Sequence, residues 1–161
     1  MQDILFREAD AVFSYRVAGI CIQDGKVLLQ SAPGDPGFAF PGGHVAFGET
    51  HEETLRREFQ EEIGAQIAVG ELKWVAELFF PWGEKPCQQI CLYYLVELRD
   101  TVTPRAGSFR AKEQMDTQVS ELEFHWIPLE QTAEISIYPN QAAGLLADIG
   151  GAVRHFIYRE L

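Results

Sequence analysis

The sequence predicts an α+β domain built on a mixed β-sheet, and three observations carry that prediction. Apolar β-rich runs flank a single acidic helical segment, Ser14 to Ala32 before it and Gln66 to Phe80 and Gln88 to Leu98 after it. The order of strands, helix, strands, helix differs from the strict alternation of a doubly wound fold. With 161 residues, 47% hydrophobic and 23% charged, the chain can bury one core without a metal or disulfide to hold it. Residues 1–161 are therefore expected to form a single domain.

Each element has a local reason. The stretch "SYRVAGICIQDGKVLLQSA" reads as two strands on either side of Asp24-Gly25, a dipeptide that tolerates the positive φ angles of a tight hairpin turn. "PGDPGFAFPGG" is rich in Pro and Gly but places Phe38 and Phe40 two apart, which predicts a short strand within a loop. Thr50 and Glu53 fit a capping box and Gly64 fits the left-handed C′ position, so one helix of about fourteen residues lies between them. The runs Gln66–Phe80 and Gln88–Leu98 are expected to pair antiparallel across an exposed loop, "PWGEKPC". From Arg99 to Val119 there is no clear period, and Pro104, Gly107 and Ser108 suggest a long loop. "ELEFHWIPL" reads as a further strand and "NQAAGLLADIGGAV" as a short helix ending at its glycine pair.

Thirteen basic residues against 24 acidic ones give a net charge of −11, which repels a nucleic-acid backbone or an anionic membrane. Neither is an expected partner, and an anionic substrate would need a local source of positive charge. No apolar run is long enough to cross a bilayer, and "MQDILFREADAVFSYR" lacks the basic and apolar regions of a signal peptide, so a cytoplasmic location is expected. Cys21, Cys87 and Cys91 sit in strand-like stretches without CxxC spacing and read as buried free thiols.

The chemistry concentrates in "PGGHVAFGETHEETLRREFQEEIGA", Pro41 to Ala65, which holds six glutamates and two arginines. On a helix, Glu58, Glu61 and Glu62 share an arc of roughly 100°, beside an apolar stripe of Leu55, Phe59 and Ile63. Like charges at this spacing cost a few tenths of a kcal/mol per pair, so the cluster calls for a cation. Carboxylate oxygens are hard ligands, suited to Mg²⁺ or Mn²⁺.

Gly43, Glu49, Arg57, Glu58, Phe59, Glu61, Glu62, Gly64 and Ala65 fall in the pattern G-x5-E-x7-R-E-F-x-E-E-x-G-A. This closely resembles the Nudix box, G-x5-E-x7-R-E-U-x-E-E-x-G-U with U a bulky apolar residue. Phe59 and Ala65 depart from the usual apolar choices, and every polar position is intact. The likeness is strict over the box and looser over about Arg16 to Leu129. It implies an α/β/α sandwich with a mixed sheet and a catalytic loop-helix-loop.

The family hydrolyses a pyrophosphate link in small-molecule nucleotide derivatives, using Mg²⁺ or Mn²⁺. Carried over, the resemblance makes Glu58, Glu61 and Glu62 metal ligands, gives Gly43 a backbone carbonyl role, and makes Arg57 the arginine that holds a box glutamate. Glu49 matches the family's structural carboxylate at the loop-to-helix junction. The general base is a box glutamate or a later carboxylate, with Glu121 favoured over Glu113 and Glu123. Arg105, Arg110 and Lys112 could meet phosphate oxygens, and Phe38, Phe40 and Trp82 could stack on a base. Pro81, sixteen residues beyond the box, stands where some ADP-ribose hydrolases carry a proline and leans the reading that way. Many members are dimers, so the resemblance allows a homodimer, with the stretch before Tyr15 available to an interface. The rival reading is a nucleotide-binding or regulatory domain without turnover, and the intact glutamates favour the enzyme.

Overall fold

The computed structural model describes residues 2–115 and 118–160, with the side chains of 112–120 left aside. Eleven strands and two α-helices follow one another along the described chain. They are β1 (Leu5–Arg7), β2 (Val12–Gln23), β3 (Lys26–Ser31), β4 (Phe38–Ala39), β5 (Gly42–His44), α1 (His51–Ile63), β6 (Ile67–Trp82) and β7 (Lys85–Leu98). β8 (Ser108–Met115), β9 (Gln118–Pro128), a 3-10 turn (Leu129–Glu134), β10 (Ile137–Tyr138), α2 (Ala142–Ala147) and β11 (Arg154–Arg159) complete it.

The sheet runs β10-β4-β3-β2-β7-β6-β11. β2 lies parallel to β7 from Val12 opposite Cys87 to Cys21 opposite Val96, β6 and β7 are antiparallel, and β11 is parallel to β6. The sheet is therefore mixed, as expected. β5 adds to β2, with Gly43 opposite Val17, which places the box's first glycine against the central strand.

Alternation along β2 divides the interior. Val17 and Cys21 pack in one core with Leu55 and Phe59 of α1, while Ala18 and Ile20 pack in a second with Ala142 and Leu146 of α2. One helix thus covers each face, the α/β/α layering. The departure at Phe59 has a packing reason: a Cβ built on Gly19 would lie 2.8 Å from Phe59 Cζ, so the ring occupies space that the glycine leaves open. Burying a side chain of this kind contributes about 1.5–3 kcal/mol.

α1 begins and ends as its sequence dictates. The Thr50 hydroxyl accepts from the Glu53 N–H, the Glu53 carboxylate accepts from the Thr50 N–H, and Gly64 takes φ 66° while its N–H donates to the Gln60 carbonyl. Asp24 and Gly25 adopt φ of 53° and 74° in the β2–β3 hairpin. Two expectations need correction. The loop between β6 and β7 shrinks to Gly83 and Glu84, because Pro81 pairs with Pro86 and Trp82 with Lys85. The segment 99–119 is a loop only to Gly107; β8 then pairs antiparallel with β9, driven by Phe109 and Ala111 packing on the α1 core.

Candidate active site

Glu49 and Arg57 form the scaffold of the loop-helix junction. Arg57 Nε donates to one Glu49 oxygen at 2.7 Å and its Nη2 to the other at 2.9 Å, a bidentate pair. Glu49 also accepts from the Ala46 N–H and the Thr54 hydroxyl, and the Arg57 bonds, outweighing burial, hold its carboxyl below the usual range. The same guanidinium reaches the His44 carbonyl, Glu58 at 2.8 Å and Glu61 at 3.3 Å. Arg57 therefore organises both the loop and two of the helix glutamates.

The three helix carboxylates descend from solvent to interior. The Glu61 side chain is 59% exposed, that of Glu58 is 15% exposed, and Glu62 is buried. Burial pushes the Glu58 carboxyl up, Arg57 and Arg16 pull it back in part, and Glu61 adds to the rise. Gly43 backs directly onto this group: a Cβ there would lie 2.2 Å from Glu58 Cδ. At the inner end Arg16 of β2 interacts with Glu62 as well as Glu58 and donates to the Phe40 carbonyl at 2.9 Å.

Among the described residues no three His, Cys, Asp or Glu side chains are gathered in metal-ligand geometry, since Arg57 draws Glu58 and Glu61 to itself. The donor set nevertheless fits a hard divalent cation. It consists of carboxylate oxygens on neighbouring turns of one helix, with a glycine pressed against them where a side chain would fill the space.

The remaining predicted residues are spread more widely. Glu121 is exposed on β9 and lies 3.6 Å from Arg110 across the β8–β9 ladder, and Glu123 lies between Arg110 and His125. Arg110 thus answers those two carboxylates instead of the helix. Arg105 braces its own loop through the Asp100 and Thr103 carbonyls. Phe40 is a core residue packed edge-on to Trp74 and Tyr93, so its ring is closed to a ligand, and Phe38 packs edge-on to His125. Trp82 sits beside His44, next to the box glycine, with Arg7 over its ring. The side chains of Lys112 and Glu113 lie outside the described residues.

Sequence reasoning missed the cavity that Arg16 lines. It holds about 350 Å³, and its wall combines Arg16, Gln89 and Asp35 with the rings of Tyr93, Tyr138 and Tyr158. Pro81 is also part of its wall. The signal was present in "SYRVAGICI": Arg16 keeps the alternation of Ser14, Ala18 and Ile20, so a charge was committed to the buried side of a strand.

The matched family model, a NUDIX domain, spans residues 14–148. The chain is 41% identical over 59 residues to a CTP pyrophosphohydrolase of Escherichia coli, covering 34% of this chain and 44% of that protein. It is 47% identical over 51 residues to an ADP-ribose pyrophosphatase of Methanocaldococcus jannaschii, 30% of each chain. The chain thus aligns with less than half the length of these curated relatives. A MutT protein of Bacillus halodurans superposes with a TM-score of 0.61 at 19% identity, covering 91% of both chains, which is a likeness of fold. With the box intact on its helix and the family model matched across most of the sequence, the chain belongs to the NUDIX domain family.

Proposed function

We propose that the chain is a divalent-metal-dependent hydrolase that cleaves the pyrophosphate bond of a nucleoside diphosphate joined to a second moiety. What carries this reading is the descent of Glu61, Glu58 and Glu62 along one helix face to Arg16, which also lines a cavity of nucleoside size. Glu58, Glu61 and Glu62, with the Gly43 carbonyl, would hold Mg²⁺ or Mn²⁺, which when bound neutralises phosphoryl oxygens and lowers the pKa of water.

The chain's own residues do the rest. Arg57, fixed to Glu49 by two bonds, sets the positions of Glu58 and Glu61. Arg16 supplies the positive charge that an anionic substrate needs in a protein of net charge −11. The tyrosine-lined cavity takes the nucleoside. A helix glutamate suits the general base better than Glu121, which is exposed and lies 3.6 Å from Arg110. Pro81 in the cavity wall, together with relatives named for CTP and ADP-ribose, supports a nucleotide derivative of the ADP-ribose type.

The test is a panel of nucleotide derivatives with Mg²⁺, followed through a coupled phosphatase that frees phosphate from monoester products. Wild type is expected to release phosphate only with metal, and Glu62→Gln to lose at least about 100-fold, in the range seen when a group stabilising developing charge is removed. A protein that binds nucleotide but shows no metal-dependent release across the panel would instead be a binding domain.

A further inference from the structure

A buried polar chain runs from the box loop to the cavity. His44, next to Gly43, is hydrogen-bonded through Nε2 to the Ser14 hydroxyl at 3.1 Å, and the Gln89 amide nitrogen donates to the same hydroxyl at 2.8 Å. Ser14 is fully buried, Gln89 is 6% exposed and His44 8% exposed. Gln89 also lines the cavity.

The bond to Ser14 sets which way Gln89 faces. The Ser14 hydroxyl has two lone pairs and one proton, and one lone pair takes the Gln89 N–H. The Gln89 nitrogen is thereby committed inward, and its oxygen is the end left for the cavity. At the mouth stand two more acceptors, Asp35 and Glu160. Each has one oxygen engaged, Asp35 by the Gly37 N–H and Glu160 by the Tyr158 hydroxyl. Arg16 is the cation in the wall, and it already donates to the Phe40 carbonyl.

Resting on the proposed hydrolase reading, we propose that Gln89 is a specificity-determining residue, accepting a hydrogen bond from the exocyclic amine of the nucleobase, and that the cavity therefore selects adenine, guanine or cytosine over uracil. An amine carries two N–H groups on one nitrogen, enough to serve Gln89 and a mouth carboxylate together. Uracil offers one N–H flanked by two carbonyls, and in a cavity rich in acceptors a carbonyl is left facing an acceptor. A site built to hydrogen-bond a substrate group discriminates strongly against an analogue that lacks it. Ser14 and His44 act as positioning residues, because without them the Gln89 amide is free to turn.

ADP-, GDP-, CDP- and UDP-glucose share sugar and pyrophosphate, so their kcat/KM ratios with Mg²⁺ read the base alone. Wild type is expected to favour the preferred amino-bearing base over uracil by about tenfold or more, expressed mainly in KM. Gln89→Met should bring the four rates within about twofold of one another. Gln89→Glu, which keeps an acceptor on the same skeleton, should retain the preference, and Ser14→Ala should weaken it.

UDP-glucose turned over as well as the others, or Gln89→Met lowering all four equally, overturns the proposal while leaving the pyrophosphohydrolase reading intact. If none of the four is cleaved, the hydrolase reading is decided by the wider nucleotide panel, and the binding arm decides this one. The Gln89 side-chain amide signals are then followed by NMR during titration with adenosine, guanosine, cytidine and uridine in turn, without metal. A tighter response to an amino-bearing nucleoside than to uridine supports the assignment; equal response to all four or none overturns it.

Discussion

Gly43 shows how little room the site has. Its backbone lies so close to the Glu58 carboxylate that any Cβ would overlap it at 2.2 Å, and Glu58 is pinned on its other side by Arg57 at 2.8 Å. Gly43→Ala should therefore displace the carboxylate. The expected result is a fall in kcat/KM of about 100-fold, the scale of a 1 Å misplacement, with about 1–3 kcal/mol of destabilisation from overpacking. Steady-state kinetics beside a urea melt would show both, and unchanged kinetics would mean that Glu58 is free to move. Asp100 makes a separate point about the loop that holds Arg105. Burial pushes its carboxyl up, but the N–H groups of Thr103, Gln66 and Val102 overcome that and bring it down to about 2. A carboxyl lowered on folding adds stability that is complete above its unfolded value, about 3.9, and is lost as pH falls toward 2. Urea midpoints measured from pH 5 to pH 2 should fall less steeply for Asp100→Asn than for wild type, and parallel curves would refute the assignment.

Helix α1 was legible because its ends and its buried stripe are both written locally. Thr50, Glu53 and Gly64 make the cap bonds that their residue types suggest, and Leu55 and Phe59 face the core. Thr50→Ala should cost about 1 kcal/mol in chemical denaturation, the usual worth of a side-chain cap. What the helix sequence could not show is its partner. Phe59 stands where an aliphatic residue is usual because Gly19, forty positions earlier, leaves the space. Gly19→Ala is expected to destabilise by about 1–3 kcal/mol in wild type, with its Cβ at 2.8 Å from the ring and 3.0 Å from Val96. In a Phe59→Leu background the penalty should shrink, giving a coupling of about 0.5–3 kcal/mol in a double-mutant cycle, and strict additivity would contradict the packing. The same limit explains β8. Phe109 and Ala111 alternate only briefly among polar residues, and the strand exists because β9 is there to pair with it. Hairpin length was likewise hidden, since Pro81 and Pro86 suggested a loop where the structure pairs them.

Across the whole molecule, the carboxylate half of the candidate site was readable and the cavity half was not. The box places Glu58, Glu61 and Glu62 on one helix by spacing alone, whereas the cavity wall gathers Arg16, Asp35, Gln89, Tyr138 and Tyr158 from segments far apart in the chain. Arg105 and Arg110 looked like phosphate contacts by local charge, and their observed partners are Asp100, Thr103, Glu121 and Glu123. The molecule's charge then makes a prediction about its ligands. At a net charge of −11, on the proposed reading, a diphosphate approaching metal-free Glu58 and Glu62 would meet repulsion that Arg16 only partly offsets. A divalent cation held there would remove that repulsion, and a bound diphosphate would in turn strengthen the cation's hold, so the two ligands should stabilise the fold together by more than the sum of their separate effects. The probe is α,β-methylene-ADP, whose bridge is not hydrolysed, with Mn²⁺. Each alone at about 100 times its dissociation constant should add about 2.7 kcal/mol, and the two together more than about 5.4 kcal/mol, a rise of more than about 10 °C in Tm for a chain of this size. Arg16→Met should reduce the nucleotide's share and leave the response to Mn²⁺ alone in place. Equal and additive shifts, or an Arg16→Met variant that responds to nucleotide like wild type, would separate the cavity from the glutamates and with it the idea that Arg16 joins them.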